Sequence, residues 1–196
     1  MSEFIRTFVA IKVSDDIAHA LIDLQSKLKK QLGGVQIRWS SRHQLHITLV
    51  FLGNVAVGRI DDLSGALDRA CKGIGCMDFR AAGVGAFPSK DRPRVIWAGV
   101  EGDVAALCEL QRRVAAATHG FGEATEEREF HPHLTLGRLS RRSAGEEFAV
   151  ARVLHSINPA TIGGWRAESV FLVKSELNPS GPIYTDIAEF HLLGAE

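Results

Sequence analysis

His131-Pro-His-Leu-Thr-Leu-Gly-Arg-Leu139 and His46-Ile-Thr-Leu-Val-Phe-Leu-Gly53 are two versions of one pattern: a histidine, an apolar residue, a threonine, then leucine. In an extended strand side chains alternate between faces, so residues two apart share a side. His46 and Thr48 then share one face, with Ile47 and Leu49 on the other, and His133 and Thr135 share one face, with Leu134 and Leu136 opposite. Each motif thus has a core side and a chemical side. Chance placement of the His and Thr residues predicts about 0.3 such His-x-Thr spacings, and the chain has two.

Working outward, Phe4 to Val13 reads as a strand in which Phe8, Ala10 and Lys12 alternate against Thr7, Val9 and Ile11. Ser14 is a good helix N-cap, and Asp15 and Asp16 suit the positive end of the helix dipole. Ile17, Leu21, Leu24 and Leu28 recur at helical spacing until Gly33-Gly34 stops the helix. A short extended piece (Val35 to Trp39) and a turn (Ser40 to His43) lead into the first motif strand, Gln44 to Leu52. Ile60, Leu63, Leu67 and Ala70 mark a second helix. Met77–Phe87 and Arg94–Val100 read as a hairpin, with Pro88 to Pro93 as its loop because a proline cannot donate to a ladder. Val104, Leu107, Leu110, Val114 and Ala117 stripe a third helix, an acidic loop from Glu123 to Glu129 follows, and the second motif strand runs from His131 to Leu139. A basic linker at Ser140 to Ser143, a fourth helix from Glu146 to His155, one long strand from Trp165 to Leu177, a turn at Asn178 to Pro182, and a last strand from Ile183 to Leu193 complete the chain.

This order predicts an α+β fold with mostly antiparallel pairing. The motif histidines lie 87 positions apart (133 − 46), close to half of the 196 residues, and each half repeats strand, helix, motif strand, helix. Two similar lobes facing one cleft, within a single domain spanning 1–196, are expected. Lys and Arg total 23 and Asp and Glu total 23. A duplex binder gripping many phosphates would show a basic excess, so recognition of one or two phosphates or a nucleotide end remains the open class. Cys71, Cys76 and Cys108 are too few for a disulfide framework or a four-ligand zinc site. The start of the chain has no basic region followed by an apolar signal core, and no apolar run approaches the roughly 18 residues of a membrane span. The expectation is a cytoplasmic monomer without a membrane segment.

Two histidines and two threonines from pseudo-symmetric strands suit attack at phosphorus. In-line displacement needs a base behind the entering oxygen and an acid behind the leaving one, on opposite sides. Imidazole titrates near pH 6.5, so one ring can be neutral while the other is charged. The hydroxyls can donate to non-bridging oxygens where negative charge grows. No metal is required by this scheme. The two motifs are nearly interchangeable, so spacing alone does not say which histidine is the acid.

The chain resembles the 2H phosphoesterase superfamily, in particular its RNA 2′,3′-cyclic phosphodiesterase branch, also called 2′-5′ RNA ligases. The residues that carry the resemblance are His46-Ile-Thr48-Leu49 and His133-Leu-Thr135-Leu136, together with Arg38-Trp39, Leu45 to Gly53, Arg94-Val-Ile-Trp97, Pro132 to Arg138, and Ser175-Glu-Leu177 to Tyr184. The resemblance implies a bilobal pseudo-two-fold fold, two mostly antiparallel sheets flanking a central cleft with helices outside, and no metal or other cofactor. It implies hydrolysis of RNA 2′,3′-cyclic phosphate ends to 2′-phosphomonoesters, with His46 as proton donor, His133 as proton acceptor, and Thr48 and Thr135 holding the phosphate. Three alternatives stand beside it: joining of RNA ends through a 2′-5′ linkage, a phosphodiesterase for small cyclic or 2′-5′-linked nucleotides, and a non-catalytic module that binds phosphate ends. The last would not need two titratable imidazoles, since Arg or Lys holds phosphate at any pH.

Other conspicuous residues have plainer readings. His131 shares strand parity with His133, and with His46 would make three histidines for a metal shell, but the threonines have no place in one. His43 reads as solvated. Parity places Arg138 with Leu134 and Leu136, away from His133, unless a bulge intervenes. Arg141 and Arg142 read as solvated linker. Trp39, Trp97, Trp165, Phe51 and Phe130 read as core, and Gly83-Val-Gly85 is no nucleotide fingerprint because no helix follows it.

Overall fold

The computed structural model describes residues 3–123, 129–140, 143–157, 161–178 and 181–194. In chain order these form β1 (Phe4–Lys12), α1 (Asp15–Gln31), β2 (Ile37–Trp39), β3 (His46–Ala56), α2 (Ile60–Cys71), β4 (Met77–Ser89), β5 (Arg92–Gly102), α3 (Val104–Thr118), β6 (His133–Leu139), α4 (Ala144–Ser156), β7 (Thr161–Ala167), β8 (Ser169–Glu176) and β9 (Ile183–His191). The strands make two sheets, β3-β1-β8-β9 and β2-β6-β5-β4-β7. Every pairing among them is antiparallel. The expected α+β fold with two sheets and outer helices is what the chain adopts.

The helices begin where local chemistry places them. Ser14 accepts from the Ile17 N–H at the start of α1, with Asp15 and Asp16 in the first turn. At α4, Ser143 and Glu146 close a capping box, which satisfies two otherwise orphaned backbone donors and starts the helix two residues earlier than its apolar pattern suggests. α2 packs on α3 and β9 and α3 on β3, whereas α1 packs on β7 and α4 on β5. Each sheet is therefore covered by two helices, and α1, which follows a strand of the first sheet, covers the second. Leu21, Ile47, Leu63, Leu107, Leu134 and Leu136 are fully buried in the shared core. Each such side chain stabilises by about 1.5–3 kcal/mol relative to exposure. No helix among the described residues is long and apolar enough to cross a membrane.

Two expectations from the linear pattern need correction. The strand expected over Trp165 to Leu177 is two strands in different sheets: β7 pairs with β4, β8 pairs with β1 and β9, and the chain changes sheet at Glu168. Both pieces bury residues against the same core, Trp165 and Ala167 on one side and Val170 and Leu172 on the other, so the apolar pattern runs through the break. The expected loop from Pro88 to Pro93 lies mostly within the hairpin. A register shift at Phe87/Pro88 sets Pro88 opposite Pro93, so neither has to donate to the other, and Lys90-Asp91 alone make the turn. The turn read at Asn178 to Pro182 includes 179–180, and the linker arginines Arg141 and Arg142 and most of the acidic loop likewise lie outside the described residues.

Candidate active site

Both motif strands carry the same irregularity. Along β3, Thr48 pairs with Ala10 and Val50 with Val9, which leaves Leu49 without a partner; along β6, Thr135 pairs with Trp97 and Gly137 with Ile96, which leaves Leu136 without one. An extra residue on one strand reverses the facing of everything after it. Upstream of each bulge the His and Thr are partly exposed and the apolar residues between them buried, as the alternation predicts. Downstream, Arg138 no longer follows Leu134 and Leu136 into the core: it is exposed and lines a cavity of about 840 Å³ together with Thr48, Phe51, Phe87, Phe130 and His133. The parity reading of Arg138 is thus overturned by the bulge. Phe51 occupies the matching position after the first bulge, at 38% exposure, with the Arg6 guanidinium 4.6 Å from its ring centre. It is a wall of the cleft rather than core, and so is half-buried Phe130.

Each histidine is oriented by the backbone two residues before it. His133 Nδ1 donates to the His131 carbonyl at 2.7 Å, so its Nε2 is left as the basic nitrogen. His46 is hydrogen-bonded to the Gln44 backbone, and its Nε2 lies 3.1 Å from Thr48 Oγ1. The first ring is also packed by aromatic side chains: Phe8 stacks on it at 4.8 Å, and Tyr184 meets it edge-on at 5.5 Å. Burial lowers the His46 pKa to about 4, with the charges of His133, Arg138 and Lys12 acting in the same direction against the Gln44 bond. His133 is lowered too, first by burial and then by His131 and Arg138, against the bond to the His131 carbonyl. Burial holds the Tyr184 hydroxyl above its ordinary range, so it stays neutral.

A second cavity of about 400 Å³ opens on the other side of His46, lined by Lys12, Arg42, His43, Tyr184 and Asp186 among others. His43 is exposed, as expected, yet forms part of this wall. Lys12 and Asp186 form an ion pair across it, and Arg42 pairs with Asp15 at 2.7 Å. His46, Thr48, His133 and Arg138 therefore meet between two hollows.

His131 turns its ring to Trp97 and Phe87, 5.1 and 5.5 Å away, and among the described residues no group of three His, Cys, Asp or Glu side chains could hold a metal. The three-histidine shell does not form. Trp97 also reaches His133 at 6.4 Å and so belongs to the cleft side, whereas Trp165 is buried. Gly85 faces the Trp97 ring so closely that a Cβ would lie 2.2 Å from it, which is the use of that glycine-rich stretch. The linear pattern missed Tyr184, Phe8, Lys12 and Arg94 as wall residues, because they come from other strands and each is ordinary in its own run.

The match to known proteins follows the same residues. A family model described as LigT like Phosphoesterase matches residues 11–97 and 100–184, one segment for each motif. The chain belongs to the LigT-like phosphoesterase family. This LigT-like chain is 29% identical to an RNA 2′,3′-cyclic phosphodiesterase of Methanothermobacter thermautotrophicus, over 96% of the chain and 99% of that protein. It is 31% identical to one of Thermotoga maritima, covering 96% of both. A solved Thermus thermophilus structure shares the LigT-like fold with a TM-score of 0.79 and 28% identity, over 97% of this chain and 100% of that one.

Proposed function

We propose that the chain hydrolyses RNA 2′,3′-cyclic phosphate ends to 2′-phosphomonoesters without a metal ion. The observation that carries this reading is that His46, in the wall of one cavity and 3.1 Å from Thr48, lies within reach of the charges of His133 and Arg138, which line the adjoining cavity together with Thr48. His133 Nε2 takes a proton from water as its oxygen attacks phosphorus. The bond from phosphorus to O3′ breaks, and His46 delivers a proton to that oxygen. Thr48, Thr135 and Arg138 hold the non-bridging oxygens, and solvent exchange resets the two rings. The family relatives named RNA 2′,3′-cyclic phosphodiesterase support the substrate class. The cavity on the His133 side is roomier than water requires, so a ribose 5′-hydroxyl can stand in water's place and give the joining reaction.

The test is a 2′,3′-cyclic nucleotide with chelator present and the product read by phosphorus NMR. Undiminished hydrolysis to a 2′-phosphate is expected. A 3′-phosphate product would overturn the leaving-group assignment, and loss of activity to chelator would overturn metal independence.

The lowered histidines also predict a pH dependence. The working free enzyme has one ring charged and one neutral, a form that peaks between the two pKa values. Both are lowered from 6.5, His46 to about 4, so kcat/KM is expected to peak below pH 6.5 and fall as pH rises. A bound phosphate anion favours the charged imidazole and raises both values. The kcat profile should therefore lie at higher pH than the kcat/KM profile. Coincident or flat profiles between pH 4 and 9 would contradict this.

A further inference from the structure

Gln25 is 1% exposed on α1, a polar residue in the stripe that otherwise buries Ile17, Leu21 and Leu28. Its Nε2 donates at 2.9 Å to the Leu136 carbonyl and at 2.9 Å to the Ser40 carbonyl, and the Ser40 N–H also donates to Leu136 at 2.9 Å. The amide thus clips the bulge of the second motif strand to the end of β2. On α3, half-buried Gln111 donates to the Leu49 carbonyl at 3.4 Å, the bulge residue of the first motif strand. The arrangement is reciprocal: the helix of each half reaches over to the bulge in the motif of the other half. A bulge interrupts the ladder on one side of its strand, and at both bulges a glutamine amide from the other half donates to the bulge carbonyl, at Leu136 in addition to the Ser40 N–H.

We propose that Gln25 and Gln111 are positioning residues that brace the two motif bulges across the pseudo-two-fold, and that Gln25 thereby holds Arg138 in the cleft. The register after Leu136 decides which face Arg138 takes. Without the clip, β2 and β5 still flank the segment and the Leu136 carbonyl keeps the Ser40 N–H, but the bulge loses the bond that ties it to α1, and the guanidinium two residues on loses its aim although it touches Gln25 nowhere. Gln111 is the weaker brace, with one longer bond where Gln25 makes two short ones. This inference rests on the proposed function only for its activity readout.

The experiment is a double-mutant cycle of Gln25→Met and Arg138→Ala in the full chain. It reads kcat and KM on a 2′,3′-cyclic nucleotide, inorganic phosphate affinity by calorimetry, and Tm. Gln25→Met is expected to lower kcat/KM and phosphate affinity by about tenfold in the wild-type background but by less than about threefold in the Arg138→Ala background, so that the double variant falls close to Arg138→Ala alone. A purely structural role would lower Tm while the two effects multiplied, and that result, or unchanged phosphate binding in Gln25→Met, overturns the proposal. If Gln25→Met does not fold, the cycle of Gln111→Met with Thr48→Val decides, where additivity overturns and coupling supports. If the wild type hydrolyses no cyclic phosphate but Gln25→Met still weakens phosphate binding as Arg138→Ala does, the bracing stands and the functional reading falls.

Discussion

His46→Ala and His133→Ala are each expected to lower kcat on a 2′,3′-cyclic nucleotide by about 10²–10⁴-fold, with KM changed only a few-fold. In the proposed mechanism each ring moves a proton in the transition state, and Arg138 and the threonines supply the ground-state grip. The double variant should fall little below the worse single one, because acid and base act as one unit. The limbs of the pH profile separate the roles. A base must be neutral, so its loss removes the acid limb; an acid must be charged, so its loss removes the alkaline limb. On the proposed assignment His133→Ala abolishes the dependence at low pH and His46→Ala that at high pH. The reverse pattern would exchange the roles, and full activity in both variants would sink the mechanism.

Arg138→Ala is expected to cost about 10²–10³-fold in kcat/KM, the usual size for losing a preorganised donor to a developing oxyanion. Arg138→Lys should recover only part of it, because an ammonium supplies charge without the planar fork. A second readout is independent of rate. Arg138 lowers the pKa of both His46 and His133 by charge repulsion, so its removal should move the kcat/KM profile to higher pH. A variant with weakened catalysis and an unmoved profile would place Arg138 outside the reach of the two rings.

His46, Thr48, His133 and Thr135 are legible in the chain itself because the signal is local: two residues apart on one strand share a face whatever the strand pairs with. The repeat of strand, helix, motif strand and helix exposes the pseudo-symmetry for the same reason. Arg138 and Phe51 depart from the alternation at one step, the bulge. Nothing in Leu-Gly-Arg or Val-Phe announces an unpaired residue, since a bulge is defined by the partner strand, here β5 for one motif and β1 for the other. The split of the expected 165–177 strand is hidden in the same way, because both pieces bury apolar residues in one core while pairing in different sheets.

The amino-acid order by itself determined the class of fold and that His46 shares a strand face with Thr48 and His133 with Thr135, because strand alternation and helix periodicity are properties of adjacent residues. Only the tertiary structure decided that Arg138 enters the cleft, that Tyr184 and Phe8 pack the His46 ring and desolvate it, and that Gln25 is buried against Leu136, 111 residues away. Those depend on register between strands and on which sheet a helix covers, and such long-range pairings leave no period in the chain.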